Sequence, residues 1–387
     1  MLRPGLHGSK FRKLSCLHCG LLHISFRLCG WLVHSFDITL ARDYDVSLPL
    51  PPPPPLRRRV PRPPRLADVR AHPARRRPPA PRRGRRAQAA HRNPPRATGG
   101  RSIAADLYLP PNSSNDGDGG EDGRKRLPVL VNWHGSGFVF PLHGTDAYFC
   151  TRMARDASLA VLDADYRKAP ESPHPAAIDD AEDVLRWLAS VAGSAYNLDA
   201  GRVAVSGFSA GGHIAAVAAT HLKTRLEAES ALGLAIPMLL SVYGSADLAT
   251  DAAAKRAPSP TLRAHPAWIL NMFADAWAPD ARARTDPTVS PAFADLDAFP
   301  ATTAFVTCEG DNLRAEMETL AERLEAAAGA GAGNEKRRVH YKMLEGVCHA
   351  FDKGIKEENS GSLPWIRREE AYAWAASLLK DTLHPQQ

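Results

Sequence analysis

Short apolar runs alternate with longer amphipathic stretches along residues 103–344. Runs of four to eight residues rich in valine, isoleucine and leucine are typical of buried strands. The predicted strands are "IAADLYL", "LPVLVNW", "LAVLDAD", "RVAVSGF", "LLSVYG", "TTAFVTC" and "VHYKML". Between them apolar residues recur at helical spacing, for example over residues 177–192 and 314–328. Strands of this kind separated by helices predict an α/β fold whose central sheet is mostly parallel and has helices on both faces.

One junction between a predicted strand and a predicted helix has an unusual composition. In "RVAVSGFSAGGHIAAVAA", Ser209 stands between Gly207 and Gly211. A serine on such a tight turn is held in a strained backbone conformation with its hydroxyl clear of the sheet, where it can act as a nucleophile. The flanking residues must be small because the strand end and the helix start approach closely. Because the pentapeptide also arises by chance, its meaning depends on the rest of the chain.

A second feature follows the predicted strand "LPVLV", where the chain reads "NWHGSGFVF". A His-Gly-Ser-Gly-Phe loop leaves several backbone N–H groups sterically open. Acyl transfer needs such donors for the oxyanion of its tetrahedral intermediate. Ligands of parallel sheets bind at the carboxyl ends of the strands, and both this loop and Ser209 lie at such ends.

The same rule selects candidates for a general base and its carboxylate partner. His349 follows the last predicted strand, in the loop "EGVCHAF", which makes it the best candidate for the base. Glu309 and Asp311 both follow the strand "TTAFVTC". Either carboxylate could orient an imidazole and stabilise its charged form, and spacing alone does not choose between them.

The N-terminal quarter of the chain has a different composition. Residues 1–100 carry a net charge of +17, whereas the remaining 287 residues carry −10. Residues 51–95 include 14 prolines and 14 arginines, which leaves too little apolar surface to form a core. We predict that residues 1–97 form a disordered basic region and that residues 98–387 form one catalytic domain. The absence of aromatic residues between Arg57 and Arg101 argues against nucleic-acid binding.

Targeting signals and cysteines give weaker indications. The apolar stretch at residues 14–36 is interrupted by Arg27 and three histidines, so it is a poor membrane span and an unconvincing secretion signal. A mitochondrial presequence, or an untranslated region read as protein, stays an alternative. The six cysteines are widely spaced apart from Cys16 and Cys19, which lack the second ligand pair of a zinc site. No disulfide framework is predicted, and a reducing, cytoplasmic location is favoured.

Residues 107–379 resemble the hormone-sensitive-lipase-like branch of the α/β hydrolases. The phrases that carry the resemblance are "HGSGF", "DADYRKAPESPHPAAIDDAEDVLRWL", "GFSAGGHIA", "SPAFADLDAFP" and "CEGDNLRAEMETLAERL". The resemblance implies a nucleophile at Ser209, an orienting acid at Asp311 and a base at His349. It selects Asp311 over Glu309, because the acid of that family belongs to a D-x-L-x-x-E phrase.

The resemblance also implies further roles and an activity. The implied oxyanion donors are the backbone N–H groups of Ser136, Gly137 and Ala210. His134 and the Asp165/Arg167/Glu171 group look like scaffolding that orders the loops. The expected reaction is hydrolysis of a small carboxylic ester of short or medium acyl chain through an acyl-enzyme, for which neither a metal nor an organic cofactor is needed.

Two departures from the family pattern, and two rival functions, complete the prediction. Ser136 replaces the middle glycine of the usual H-G-G-G loop, so that its side chain either narrows the site or adds a hydroxyl donor. The Pro/Arg-rich N-terminal region replaces the helices that usually build part of a lid, so the expected lid is the segment of about residues 247–285 around "AWILNMFADAW".

An amide or arylacetamide deacetylase is one alternative function. A non-catalytic ligand-binding receptor on the same fold is the other, although such receptors lack a working base.

Overall fold

The structure is a computed structural model that describes residues 86–87, 102–111, 126–192, 196–255, 259, 262, 264–330, 337–355 and 359–384. The chain divides into two units, Met1–Asp68 and Val69–Gln387. The first unit lies outside the described residues. The predicted disordered region, residues 1–97, also lies outside them apart from the two residues of the first strand.

Within the described residues, eight strands form one sheet in the order β1-β2-β4-β3-β5-β6-β7-β8. Neighbours from β4 through β8 in this order pair in parallel, whereas β2 pairs antiparallel with both β1 and β4. The strands are β1 (Arg86–Ala87), β2 (Ala105–Tyr108), β3 (Leu127–Trp133), β4 (Ala160–Ala164), β5 (Leu198–Phe208), β6 (Met238–Val242), β7 (Thr302–Cys308) and β8 (Arg338–Leu344). The predicted α/β fold with a mostly parallel sheet is confirmed.

Helices fill most connections between the parallel strands. Pro266 precedes one helix, and the Ser362 hydroxyl caps another by accepting a hydrogen bond from the Trp365 N–H. The helices are α1 (Ala147–Asp156), α2 (Ala176–Trp187), α3 (Ala210–Val217), α4 (Lys223–Glu227), α5 (Ala267–Trp277), α6 (Arg314–Ala330) and α7 (Leu363–Leu383). Helix α5 coincides with "AWILNMFADAW" in the predicted lid segment. Its function as a lid stays a prediction.

The sheet separates two hydrophobic cores. Val129, Val131 and Trp133 of β3 pack in one core with helices α2, α3 and α6, whereas Leu130 points into the other core with helices α1 and α7. Because successive side chains of a strand point to opposite faces, both faces of β3 must be apolar, and its sequence provides this. The parallel pairing then places the carboxyl ends of β3, β5, β7 and β8 at one edge of the sheet.

Candidate active site

The turn of residues 207–211, which we call the serine turn, joins β5 to α3. Ser209 has a φ of 53° and a ψ of −118°, a conformation that non-glycine residues rarely adopt. A Cβ on Gly207 would lie 2.2 Å from the carbonyl carbon of Gly211, and a Cβ on Gly211 would lie 1.9 Å from the Trp133 oxygen. Both positions therefore exclude any side chain, which is the packing reason for the two glycines.

The Ser209 hydroxyl lies in a continuous hydrogen-bonded chain with His349 and Asp311. The distance from Ser209 Oγ to His349 Nε2 is 2.9 Å, and the distance from His349 Nδ1 to Asp311 Oδ2 is 2.7 Å. A carboxylate can only accept, so Nδ1 donates its proton to Asp311 and Nε2 presents its lone pair to the serine hydroxyl. The imidazole is therefore in the tautomer that can remove a proton from Ser209.

Asp311 is positioned by its own backbone contacts. Its side chain is 2% exposed, and its second oxygen, Oδ1, accepts the Leu313 N–H at 3.0 Å. Glu309 points elsewhere, because its Oε2 accepts the Gly346 N–H at 2.8 Å. The structure thus brings Asp311, rather than Glu309, to His349.

Two aromatic rings that the sequence reasoning did not single out flank the His349 ring. The Tyr243 ring centroid lies 4.8 Å from that of His349, and the His265 centroid lies 5.1 Å away, nearly perpendicular. Burial, and secondarily the nearby His349, lower the pKa of His265 to about 4. His265 is therefore neutral near pH 7. The location of Tyr243 directly after β6 was the available signal for it, whereas His265 had none.

The loop after β3 lies against the serine turn. A Cβ on Gly135 would lie 3.0 Å from the Phe208 oxygen, and one on Gly137 would lie 2.6 Å from the Phe273 ring of α5. Gly137 also has a φ of +56°, which favours glycine. Ala210 begins α3, so its N–H has no acceptor within the helix. These backbones bring Ser136, Gly137 and Ala210 to the surroundings of Ser209, and their role as oxyanion donors stays a proposal.

The Ser136 hydroxyl is bonded away from Ser209. Ser136 Oγ lies 2.6 Å from the Tyr166 hydroxyl oxygen, and the Tyr166 hydroxyl donates to the His134 carbonyl at 2.8 Å. Because a tyrosine has one hydroxyl proton, Ser136 must be the donor to Tyr166. Ser136 is 4% exposed and does not line the cavity at Ser209, so neither expectation for its side chain describes this geometry.

The predicted scaffolding residues are only partly connected as expected. The His134 Nε2 lies 3.2 Å from the Asp165 carboxylate, which also accepts from Lys168 at 2.6 Å. Burial would raise the pKa of Asp165, but these two partners outweigh it and hold the pKa well below its usual value. Arg167 pairs with the buried Asp180 at 3.0 Å, a residue that the sequence reasoning did not name.

Helix α5 closes a mostly apolar cavity over Ser209. The cavity lining combines the serine turn, the loop after β3, the α5 face, the chain after β6 and one residue after β7. Its members are Gly137, Phe138, Ser209, Ala210, Ser245, Leu248, Thr250, Ala252, Lys255, Leu270, Asn271, Phe273, Ala274 and Leu313. Lys255 is paired with Glu316 at 2.5 Å, so the cavity wall carries a neutralised ion pair. The rest of the lining favours an apolar substrate group.

The described part of the chain holds neither a candidate metal site nor a candidate membrane-spanning helix. It contains no group of three or more His, Cys, Asp or Glu side chains arranged to hold a metal ion. None of its helices combines the length and the apolar character needed to cross a bilayer. The predicted cytoplasmic location stays a prediction.

Comparisons with known proteins identify similar chains. The profile of a family described as alpha/beta hydrolase fold matches residues 130–353. Ethyl acetate hydrolase of Pseudomonas putida is 30% identical over 252 residues, which cover 63% of this chain and 70% of that protein. Esterase LipI of Mycobacterium tuberculosis is 41% identical over 117 residues, which cover 30% of this chain and only 34% of that protein.

Solved structures give the same result over a longer part of the chain. The carboxylesterase EstE1, cloned from a metagenomic library, superposes with a TM-score of 0.59 and 26% identity, covering 75% of this chain and 87% of that chain. The hyperthermophilic esterase of the archaeon Pyrobaculum calidifontis gives a TM-score of 0.58 at 28% identity, covering 76% of this chain and 87% of that chain.

Proposed function

Because this chain belongs to the alpha/beta hydrolase fold family, we propose that it is a serine hydrolase that cleaves carboxylic esters of short or medium acyl chain through an acyl-enzyme. Its carboxylesterase-type activity is the coarser statement, supported by relatives named esterase, carboxylesterase and ethyl acetate hydrolase. The single observation that carries the finer proposal is the hydrogen-bonded chain from Ser209 through His349 to Asp311.

In the proposed mechanism, His349 Nε2 removes the Ser209 proton as Oγ attacks the ester carbonyl carbon. Asp311 holds the Nδ1 proton and stabilises the imidazolium that forms. The N–H groups of Ser136, Gly137 and Ala210 receive the oxyanion. His349 then donates its proton to the departing alkoxide, so that an alcohol leaves and an ester bond to Ser209 remains. Water, deprotonated by the same imidazole, hydrolyses that ester and restores the hydroxyl.

The cavity supports the proposed limit on acyl-chain length, which the family resemblance implies. Phe273 and Ala274 of α5 lie opposite the serine turn, and Phe273 contacts the backbone at Gly137. We therefore expect long acyl chains to need a movement of α5 and short chains to fit the cavity as it stands. The presence of His349 within hydrogen-bond distance of Ser209 favours an enzyme over a ligand-binding receptor.

The test is Ser209→Ala. The matched control is Ser190→Ala, which changes an exposed serine three residues after the end of α2. We expect turnover of p-nitrophenyl butyrate to fall by at least about a thousandfold in the first variant, since a nucleophile is removed. The control variant keeps wild-type turnover, and both keep the wild-type circular dichroism. An organophosphate ester adds mass to the wild type and the control but not to Ser209→Ala. If Ser209→Ala retains a tenth of wild-type turnover, the proposed nucleophile is wrong.

A further inference from the structure

A largely buried ammonium group, on a side chain that is 20% exposed, lies next to the candidate site. Lys353, four residues after His349, places its Nζ 2.6 Å from Asp146 Oδ1 and 3.1 Å from Asp352 Oδ2. The same Nζ lies 3.5 Å from the centroid of the Phe208 ring, and Phe208 directly precedes Ser209. A cation at this distance from an aromatic face is attracted by the ring.

The partners of Lys353 connect it to the loop after β3. Asp146 precedes α1 and is 1% exposed. It accepts the Asn132 side-chain N–H at 3.0 Å, and Asn132 lies two residues before His134. Asn132 in turn accepts the Ser206 hydroxyl of β5 at 2.9 Å. A continuous set of buried polar contacts therefore joins Lys353 to both the β3 end and the β5 end.

Asp352 connects the same ammonium to the other side of the site. Its two oxygens accept the hydroxyls of Tyr243, at 2.6 Å, and Tyr372, at 2.5 Å. The Tyr243 ring is the one that lies against His349. We call Asn132, Asp146, Asp352 and Lys353 the Lys353 cluster.

Three backbone positions with a positive φ lie close to the Lys353 cluster. Ser209, Tyr243 and Ala350 have φ values of 53°, 38° and 58°. Non-glycine residues in this conformation cost free energy and persist only where the surrounding structure over-determines them. Phe208, whose ring Lys353 contacts, directly precedes Ser209, and the Tyr243 hydroxyl donates to Asp352. Ala350 lies two residues before Asp352 in the chain.

In the folded protein the ammonium group of Lys353 lies between two carboxylates, those of Asp146 and Asp352. Burial alone would lower the pKa of Lys353, but the carboxylates of Asp146 and Asp352 outweigh it and raise that pKa. Burial alone would raise the pKa of Asp352, but Lys353 and the two tyrosine hydroxyls outweigh it and lower that pKa. The ammonium and Asp352 are therefore both charged at neutral pH, and loss of either leaves an uncompensated buried ion.

We propose that Lys353 is a positioning residue. Its contacts fix the positions of three segments relative to one another: the loop carrying His349, the serine turn and the loop after β3. This proposal rests on the proposed function, because the relative positions of these segments affect turnover only if His349 is the general base for Ser209. Displacements of about 1 Å between reacting groups can cost about a hundredfold in rate. The predicted defect of a Lys353 variant is therefore in kcat, while KM stays nearly unchanged because the cavity residues are not part of the cluster.

The experiment measures turnover per competent site rather than per molecule. Lys353→Met and the wild type are titrated with diethyl p-nitrophenyl phosphate, whose p-nitrophenol burst counts the sites that react, and are then assayed with p-nitrophenyl butyrate. We expect kcat per site to fall by about a hundredfold and KM to stay within about threefold. Lys342→Met is the matched control, because Lys342 lies on β8 and pairs with Glu370 at 2.8 Å; it keeps the wild-type kcat per site.

A second variant decides the case in which Lys353→Met does not fold. Asp146→Asn/Lys353→Met removes one of the two carboxylates that lose the ammonium, while Asp352 still accepts the hydroxyls of Tyr243 and Tyr372. We expect this variant to fold without restoring the link between the loops. The proposal predicts a low kcat per site in this variant as well. A wild-type kcat per site in the double variant, or in Lys353→Met, overturns the positioning role. Absence of both the burst and turnover in the wild type would instead overturn the proposed function.

Discussion

Replacing Asp311 by asparagine tests the orientation of the candidate base at a single atom. One carboxylate oxygen becomes an amide nitrogen, and the two ways of placing it both fail. With the nitrogen facing His349, it can only donate, so Nδ1 must accept and the ring proton moves to Nε2. Nε2 then faces the Ser209 hydroxyl, 2.9 Å away, without a lone pair.

The opposite placement is blocked by the Leu313 backbone. With the asparagine oxygen facing His349, the amide nitrogen faces the Leu313 N–H, which donates to Asp311 at 3.0 Å. Two donors then face each other in a site that is 2% exposed. Loss of the orienting carboxylate lowers turnover by about 10⁴ in such sites. At 1.36 kcal/mol for each tenfold change, this corresponds to about 5.5 kcal/mol of transition-state stabilisation.

The assay compares kcat of Asp311→Asn with that of Glu309→Gln on p-nitrophenyl butyrate. Glu309 is the matched control, since it lies two residues away and its carboxylate accepts only the Gly346 N–H among the described residues. A substitution there should change turnover by no more than about twofold. If Glu309→Gln is the crippled enzyme and Asp311→Asn is not, the assignment of the acid is wrong.

Three further predictions concern folding. Gly211→Ala should prevent correct assembly of the serine turn, because its Cβ would lie 1.9 Å from the Trp133 oxygen. Gly329→Ala, at an open position of α6, should keep the wild-type activity and keep or raise the melting temperature. Equal melting temperatures for the two variants would contradict this prediction. Burial lowers the pKa of His213 to about 3, so the free energy of unfolding should decrease as pH falls from about 6.5 towards 3, by up to about 5 kcal/mol. Urea titrations of His213→Asn should show a smaller decrease over this pH range. An unchanged pH dependence in this variant would refute the argument. A chain beginning at Thr98 should be soluble and active on small esters, with a longer chain that retains β1 as its control; aggregation of the shorter chain alone would show that the N-terminal region contributes to folding.

The sequence predicted those features that local patterns determine. The predicted strand "TTAFVTC" has the same bounds as β7, because an apolar run of that length in this fold is buried as a strand of the central sheet. Gly207 and Gly211 marked the serine turn for a similar reason, since a missing Cβ is visible in the sequence. Strand β1 was not predicted, because two residues are too few to show a hydrophobic periodicity. The strand forms only by pairing with β2, about twenty residues further along the chain.

Contacts between distant residues were beyond the sequence reasoning. Lys353 and Asp146 are 207 positions apart, and neither belongs to a local pattern that distinguishes a buried ion from a solvated one. The choice between Asp311 and Glu309 needed the family phrase, because the two carboxylates differ only in which backbone they meet after the chain leaves β7. The hydroxyl of Ser136 likewise turns towards Tyr166, 30 positions away.

The strand order also determines when the site becomes complete during biosynthesis. Ser209 and His349 are 140 positions apart. His349 follows β8, which is the last strand among the described residues and lies at the edge of the sheet. Chains are made from the N-terminus, so β3 to β6 can pair on the ribosome well before β8 has been translated. A nascent chain that has folded as far as β6 therefore carries the serine turn without His349, its proposed base. In the proposed mechanism, reactivity towards esters appears only after almost the whole chain has emerged and β8 has joined β7.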